Sequence, residues 1–105
     1  MHGRFAKYSY SGDAQELAVR VEEGLLPIFQ SQPGFKAYSV MATEDTILSF
    51  SAWSSAADAE AANEAAASWV AENMSGDDIE LKTTKIGEIL IGTALGVSTK
   101  AGATV

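Results

Sequence analysis

Few side chains in this sequence could do chemistry by themselves. His2 is the only histidine and cysteine is absent, which removes thiolate nucleophiles, disulfides, iron–sulfur clusters and thiolate-bound metals together. His2 stands at the chain start, where a frayed, solvated imidazole is expected. Metal-ligand spacing occurs nowhere, so neither a metal nor another cofactor is expected. The stronger cluster is aromatic: Tyr8, Tyr10, Tyr38 and Trp53. On strands, Tyr8 and Tyr10 share a face, and Tyr38 and Trp53 share one. With the hydroxyls of Ser49 and Ser51, these rings could box a flat ligand. As packing alone they would serve a subunit interface, where aromatic residues are enriched.

The charged residues point less far. Arg4 and Lys36 could offer a cation to an enolate or carboxylate, but such side chains ordinarily end in water. Glu60 and Glu64, one helical turn apart, are like charges on a wet face rather than an acid–base pair. Glu88 lies in an apolar strand and reads as an edge residue facing solvent. Asn63, Trp69 and Asn73 mark the second helix. Asn63 and Trp69 are separated by about 600° around a helix and point to different faces, whereas Trp69 and Asn73 share one. As structure alone, Trp69 anchors a core and Asn63 makes a surface or capping contact.

The elements that must position these residues follow from the pattern. Arg4 to Tyr10 alternates and reads as a strand. Asp13 with Glu16 opens a helix whose stripe is Leu17, Val21, Leu25 and Ile28, with Pro27 kinking it or ending its regular part. Gln32-Pro33-Gly34 is a turn. Phe35 to Met41 and Thr46 to Trp53 form a hairpin across Thr43-Glu44-Asp45. Pairing Met41 with Thr46 puts Phe35, Ala37, Ser39 and Met41 on one face with Leu48, Phe50 and Ala52. Ser55 and Asp58 start an alanine-rich helix to Met74, with a buried stripe of Ala59, Ala62, Ala66, Trp69 or Val70, and Met74. A last strand runs from about Leu81 to Ile91, and a Gly-, Ala- and Thr-rich tail covers 92–105.

The order is βαββαβ: a ferredoxin-like α+β domain, one unit over 1–105 with its core in about 4–91. Two helices cover one face of a four-stranded antiparallel sheet. Tyr8, Tyr10, Tyr38, Ile47 and Trp53 are expected on the opposite face, too apolar to stay wet, so the chain is expected to pair with a copy of itself. Composition agrees with one globular core: 105 residues, 47% hydrophobic, 20% charged and 9% aromatic. The net charge of −7, with scattered basic residues, argues against nucleic acid and against anionic membranes. No apolar run is long enough to span a bilayer and no leader is recognisable, so the cytoplasm is the expected location.

The chain resembles the antibiotic biosynthesis monooxygenase-like group of the dimeric α+β barrel superfamily. The resemblance rests on Pro27 ahead of Pro33-Gly34-Phe35, on Tyr38, and on Leu48-Ser49-Phe50-Ser51. It continues through Ala66-Ala67-Ser68-Trp69-Val70 and Gly87-Glu88-Ile89-Leu90. It implies a homodimer of ferredoxin-like subunits, each with a pocket between sheet and helices. Some members oxidise aromatic or quinol-type molecules without metal or flavin, using Asn, Trp, Tyr and Arg around the developing oxyanion. That implies catalytic roles for Asn63, Trp69 and Asn73, and a small-aromatic pocket shaped by Tyr8, Tyr38, Ser49, Ser51 and Trp53. Haem-cleaving members carry a histidine on the second helix, which here has none. A non-catalytic binding module or a stress-responsive barrel protein is the alternative the resemblance leaves open.

Overall fold

The computed structural model describes residues 1–99. Strands β1 (His2–Tyr10), β2 (Phe35–Ala42), β3 (Thr46–Trp53) and β4 (Ile79–Glu88) form one antiparallel sheet in the order β2-β3-β1-β4. Helices α1 (Ala14–Ser31) and α2 (Ala56–Asn73) lie on one of its faces. This is the expected ferredoxin-like βαββαβ arrangement. The foreseen tail falls partly at residues 100–105, outside the described residues. Among the described residues no helix is long and apolar enough to cross a membrane.

Both helices start as their caps dictate. The Asp13 carboxylate accepts from the backbone N–H of Gln15 and Glu16, and Ser55 Oγ accepts from that of Asp58. Helix α1 continues past Pro27 to Ser31, so the proline does not end it. Its buried stripe is Leu17, Leu25 and Phe29; Ile28, expected inside, is 38% exposed. Phe29 replaces it because the stripe advances by four residues at each step, and its ring meets Tyr38 and Trp53 edge-on at 5.0 and 5.3 Å. Burying that phenyl ring contributes roughly 1.5–3 kcal/mol. Helix α2 buries Ala59, Ala62, Ala66, Trp69 and, just beyond its end, Met74, as its spacing predicts.

The hairpin register differs from expectation by two residues: Met41 pairs with Leu48, not Thr46. A slip of two leaves every side chain on its expected face, because the strand repeat is two. Phe35 is the exception. A bulge between Phe35 and Ala37 sets it opposite Trp53, whose ring it meets edge-on at 5.4 Å. The turn before it needs Gly34, which has φ 82° in the left-handed region.

The larger correction concerns which face the helices cover. Tyr8, Ile47 and Trp53 are buried beneath the helices, and Tyr10 and Tyr38 pack against that core. The expectation that these five line the open face is overturned. The open face instead carries Phe5, Met41, Leu48 and Phe50, flanked after β4 by Leu90 and Ile91, which are 66% and 68% exposed.

Candidate functional site

Between the sheet and the helices lies one small cavity with largely apolar walls. Leu17, Val21 and Leu25 of α1, Trp69 and Val70 of α2, and Ile47, Met74 and Ile79 supply most of its lining. Four polar side chains reach it from the sheet: Arg4, Tyr8, Tyr38 and Ser49. The strand period puts Arg4 and Tyr8 on one face of β1, and Val40 pairs with Ser49 across the hairpin. The cavity offers about 30 Å³ of room, enough for one or two waters and too little for an aromatic ring.

Arg4 is the residue that sequence reasoning passed over as a solvated charge near the terminus. It is 2% exposed, because β1 begins at His2 and is paired on both sides from that residue onward. Its Nε donates to Asn63 Oδ1 at 2.8 Å. Among the described residues no carboxylate lies within ion-pair distance of it. A buried guanidinium without a counter-charge is costly, and an anionic ligand would relieve that cost. Two signals in the sequence could have found it: its place in alternation with Ala6 and Tyr8, and an asparagine on the helix above.

Tyr38 completes the polar side. Burial, opposed by the nearby Arg4 and reinforced by Tyr8, pushes its hydroxyl up to about 12, so at neutral pH it is a hydrogen-bond donor. Every polar side chain on the wall can donate, and none is a carboxylate or an imidazole.

The other expected site residues separate. Tyr8, Tyr38, Ser49 and Trp69 meet at the cavity. Trp53 and Ser51 do not: both are fully buried, and the Trp53 Nε1–H donates to Ser51 Oγ at 2.8 Å, which ties them into the core. Asn63 and Trp69 diverge as expected: Asn63 reaches the buried Arg4 of the sheet, whereas the Trp69 indole lies against Gly24 of α1 at the cavity wall. Asn73, expected beside Trp69, is exposed, and its side-chain amide donates to the Trp69 carbonyl at 2.9 Å. Its place in the last turn of α2 lets the amide fold back along the exposed helix surface to that carbonyl. Tyr10 lines a separate groove with Arg20 and Asp77. Burial and then the Asp77 carboxylate raise its pKa above 10. His2 is not frayed: it pairs within β1, and its Nδ1 is buried without a hydrogen-bond partner among the described residues.

Known proteins relate to this chain through structure alone. No protein-family model matches it, and no curated protein does either. A protein of unknown function from Nitrosomonas europaea superposes with a TM-score of 0.66 at 16% identity, over 87% of this chain and 90% of that one. A candidate antibiotic biosynthesis monooxygenase from Chloroflexus aurantiacus superposes with a TM-score of 0.64 at 16% identity, over 90% and 98%. SnoaB, a cofactor-independent oxygenase from Streptomyces nogalater, gives 0.54 at 16% identity, over 82% and 87%. The chain therefore has the fold of the antibiotic biosynthesis monooxygenase-like proteins.

Proposed function

We propose that this chain belongs to the antibiotic biosynthesis monooxygenase-like group and oxidises a small aromatic or quinol-type molecule with dioxygen, using neither metal nor flavin. The observation that carries the reading is Arg4: a buried cation on an apolar cavity wall, without an acid beside it among the described residues. Such a wall suits a ring whose oxygen becomes negative.

In this reading the substrate binds as its phenolate or enolate. None of the lining side chains is a base, so the proton leaves to water as the substrate enters. Arg4, with neutral Tyr38 and Ser49, stabilises the anionic oxygen, and the surrounding apolar side chains keep out water that would reprotonate it. The electron-rich ring carbon then bonds to dioxygen, and the peroxide takes back a proton from water. The hydroperoxide breaks its O–O bond with loss of the ring C–H proton, releasing water and the quinone. Asn63 acts as a positioning residue that fixes the guanidinium. Trp69, Tyr8 and Tyr38 frame the ring. The donor roles expected of Asn63 and Asn73 thus pass to Arg4, Tyr38 and Ser49.

The experiment is aerobic turnover of naphthols and quinols by the purified protein, followed by oxygen consumption. Rates above buffer that fall in Arg4→Met support the reading; none above buffer removes the chemistry. One observation favours a second reading, a non-catalytic binding or stress-responsive module: the cavity has no room for a ring as it stands. Thermal stabilisation by phenols without oxygen consumption would select that alternative. In both readings the proposed partner is a second copy of the chain, meeting the open sheet face of Phe5, Met41, Leu48 and Phe50.

A further inference from the structure

We infer that the Arg20–Asp77 ion pair is the latch of a door between the cavity and an outer groove, at the corner where α1 meets the end of α2. The groove, of about 540 Å³, is lined by Tyr10, Gln15, Glu16, Val19, Arg20 and Asp77. On three segments of the wall between them, residues close in sequence line the one and the other. Tyr8 faces the cavity and Tyr10 the groove, two residues along the same side of β1. Val21 faces the cavity and its neighbour Arg20 the groove. Met74 lines the cavity, while Asp77, whose backbone N–H donates to the Met74 carbonyl at 3.1 Å, lines the groove.

Arg20 closes this wall. Its Nη1 donates to both Asp77 carboxylate oxygens at 3.1 and 3.2 Å, and its Nη2 donates to the Asn73 carbonyl. These are the polar ties from α1 to the end of α2 among the described residues. The cavity is too small for a ring, so any solute larger than a water or two needs part of its lining to move, and this wall is the part that adjoins a groove. An ion pair with 40% and 32% exposed side chains adds little to overall stability, which suits a contact that must break and re-form. Val19, half exposed beside it, gives the groove an apolar floor for an incoming ring. The inference concerns access to the cavity and stands whatever the cavity holds.

The test is acrylamide quenching of tryptophan fluorescence, without ligand. Trp69 lines the cavity, while Trp53 is fully buried away from it and supplies a constant background. Arg20→Gln and Asp77→Asn should each raise the quenching constant about two- to fivefold, the gain in open population when an exposed pair is lost. The charge-swapped pair, Arg20→Asp with Asp77→Arg, should bring it back toward wild type. Molar salt should raise quenching of the unaltered protein. Unchanged quenching in both single variants would overturn the latch and point to entry past Val40 at the β2 edge. A swapped pair as leaky as the singles would also overturn it. Where a single variant melts early, the salt series on the unaltered protein decides, and a flat response counts against the latch.

Discussion

Asn63 on α2 holds Arg4 on β1 through a 2.8 Å hydrogen bond, joining residues 59 apart in sequence. The pair is asymmetric. Asn63→Ala leaves a buried guanidinium without its partner and should cost about 1–3 kcal/mol in urea unfolding. Arg4→Met removes the charge along with its need and leaves the half-buried Asn63 acceptor to water, so it should cost less. In the Arg4→Met background, Asn63→Ala should then cost much less. Equal costs in both backgrounds would mean the two residues are not coupled.

Gly24 gives Trp69 its place. A Cβ at position 24 would stand 2.6 Å from Trp69 Nε1. In an exposed helix, glycine to alanine gains about 1 kcal/mol. Here the clash outweighs the gain, and Gly24→Ala should lose about 1–3 kcal/mol with a shifted tryptophan emission. A more stable variant with unchanged emission would refute the contact.

Tyr38 makes stability depend on alkaline pH. Folding raises its pKa from 10.0 to about 12, so the folded protein keeps a proton that the unfolded chain gives up. The contribution is complete below about pH 10 and is lost as pH rises through about 12, at up to about 1.4 kcal/mol per pH unit. Tyr38→Phe should lack that part of the slope. Parallel stability curves for the two proteins between pH 10 and 12 would show that burial does not shift this hydroxyl.

The open face should govern self-association. Phe50, 39% exposed on that face, can become aspartate without touching the helix-covered core. Phe50→Asp should halve the mass seen by light scattering while leaving the helical circular dichroism intact. An unchanged mass would move the interface elsewhere.

Much of the fold is legible in the sequence because its signals are local. Asp13 and Ser55 announce helix starts, and the alanine spacing of α2 announces its buried stripe. Which side of the sheet α2 would cover is not local. Assigning Tyr8 and Trp53 to the open face failed because strand alternation separates two faces without saying which is inside. Arg4 was hidden for a related reason. Its burial depends on Asn63 and on pairing along both edges of β1, and neither is written near position 4. Trp53 and Ser51 looked like ligand-facing groups, but their hydrogen bond is to each other. Residue type alone cannot tell a satisfied pair from an open one.

Helix α2 buries methyl groups at Ala59, Ala62 and Ala66, then an indole at Trp69, with the Met74 thioether just beyond its end. One stripe therefore runs from small side chains to large ones, and the two large ones line the cavity. A void lined this way has a remote adjustment. Larger side chains at the small end would tilt the helix and resize the chamber while leaving every wall residue as it is. Three alanines outside the cavity wall thus become the natural place for selection, or a designer, to change what the chamber admits.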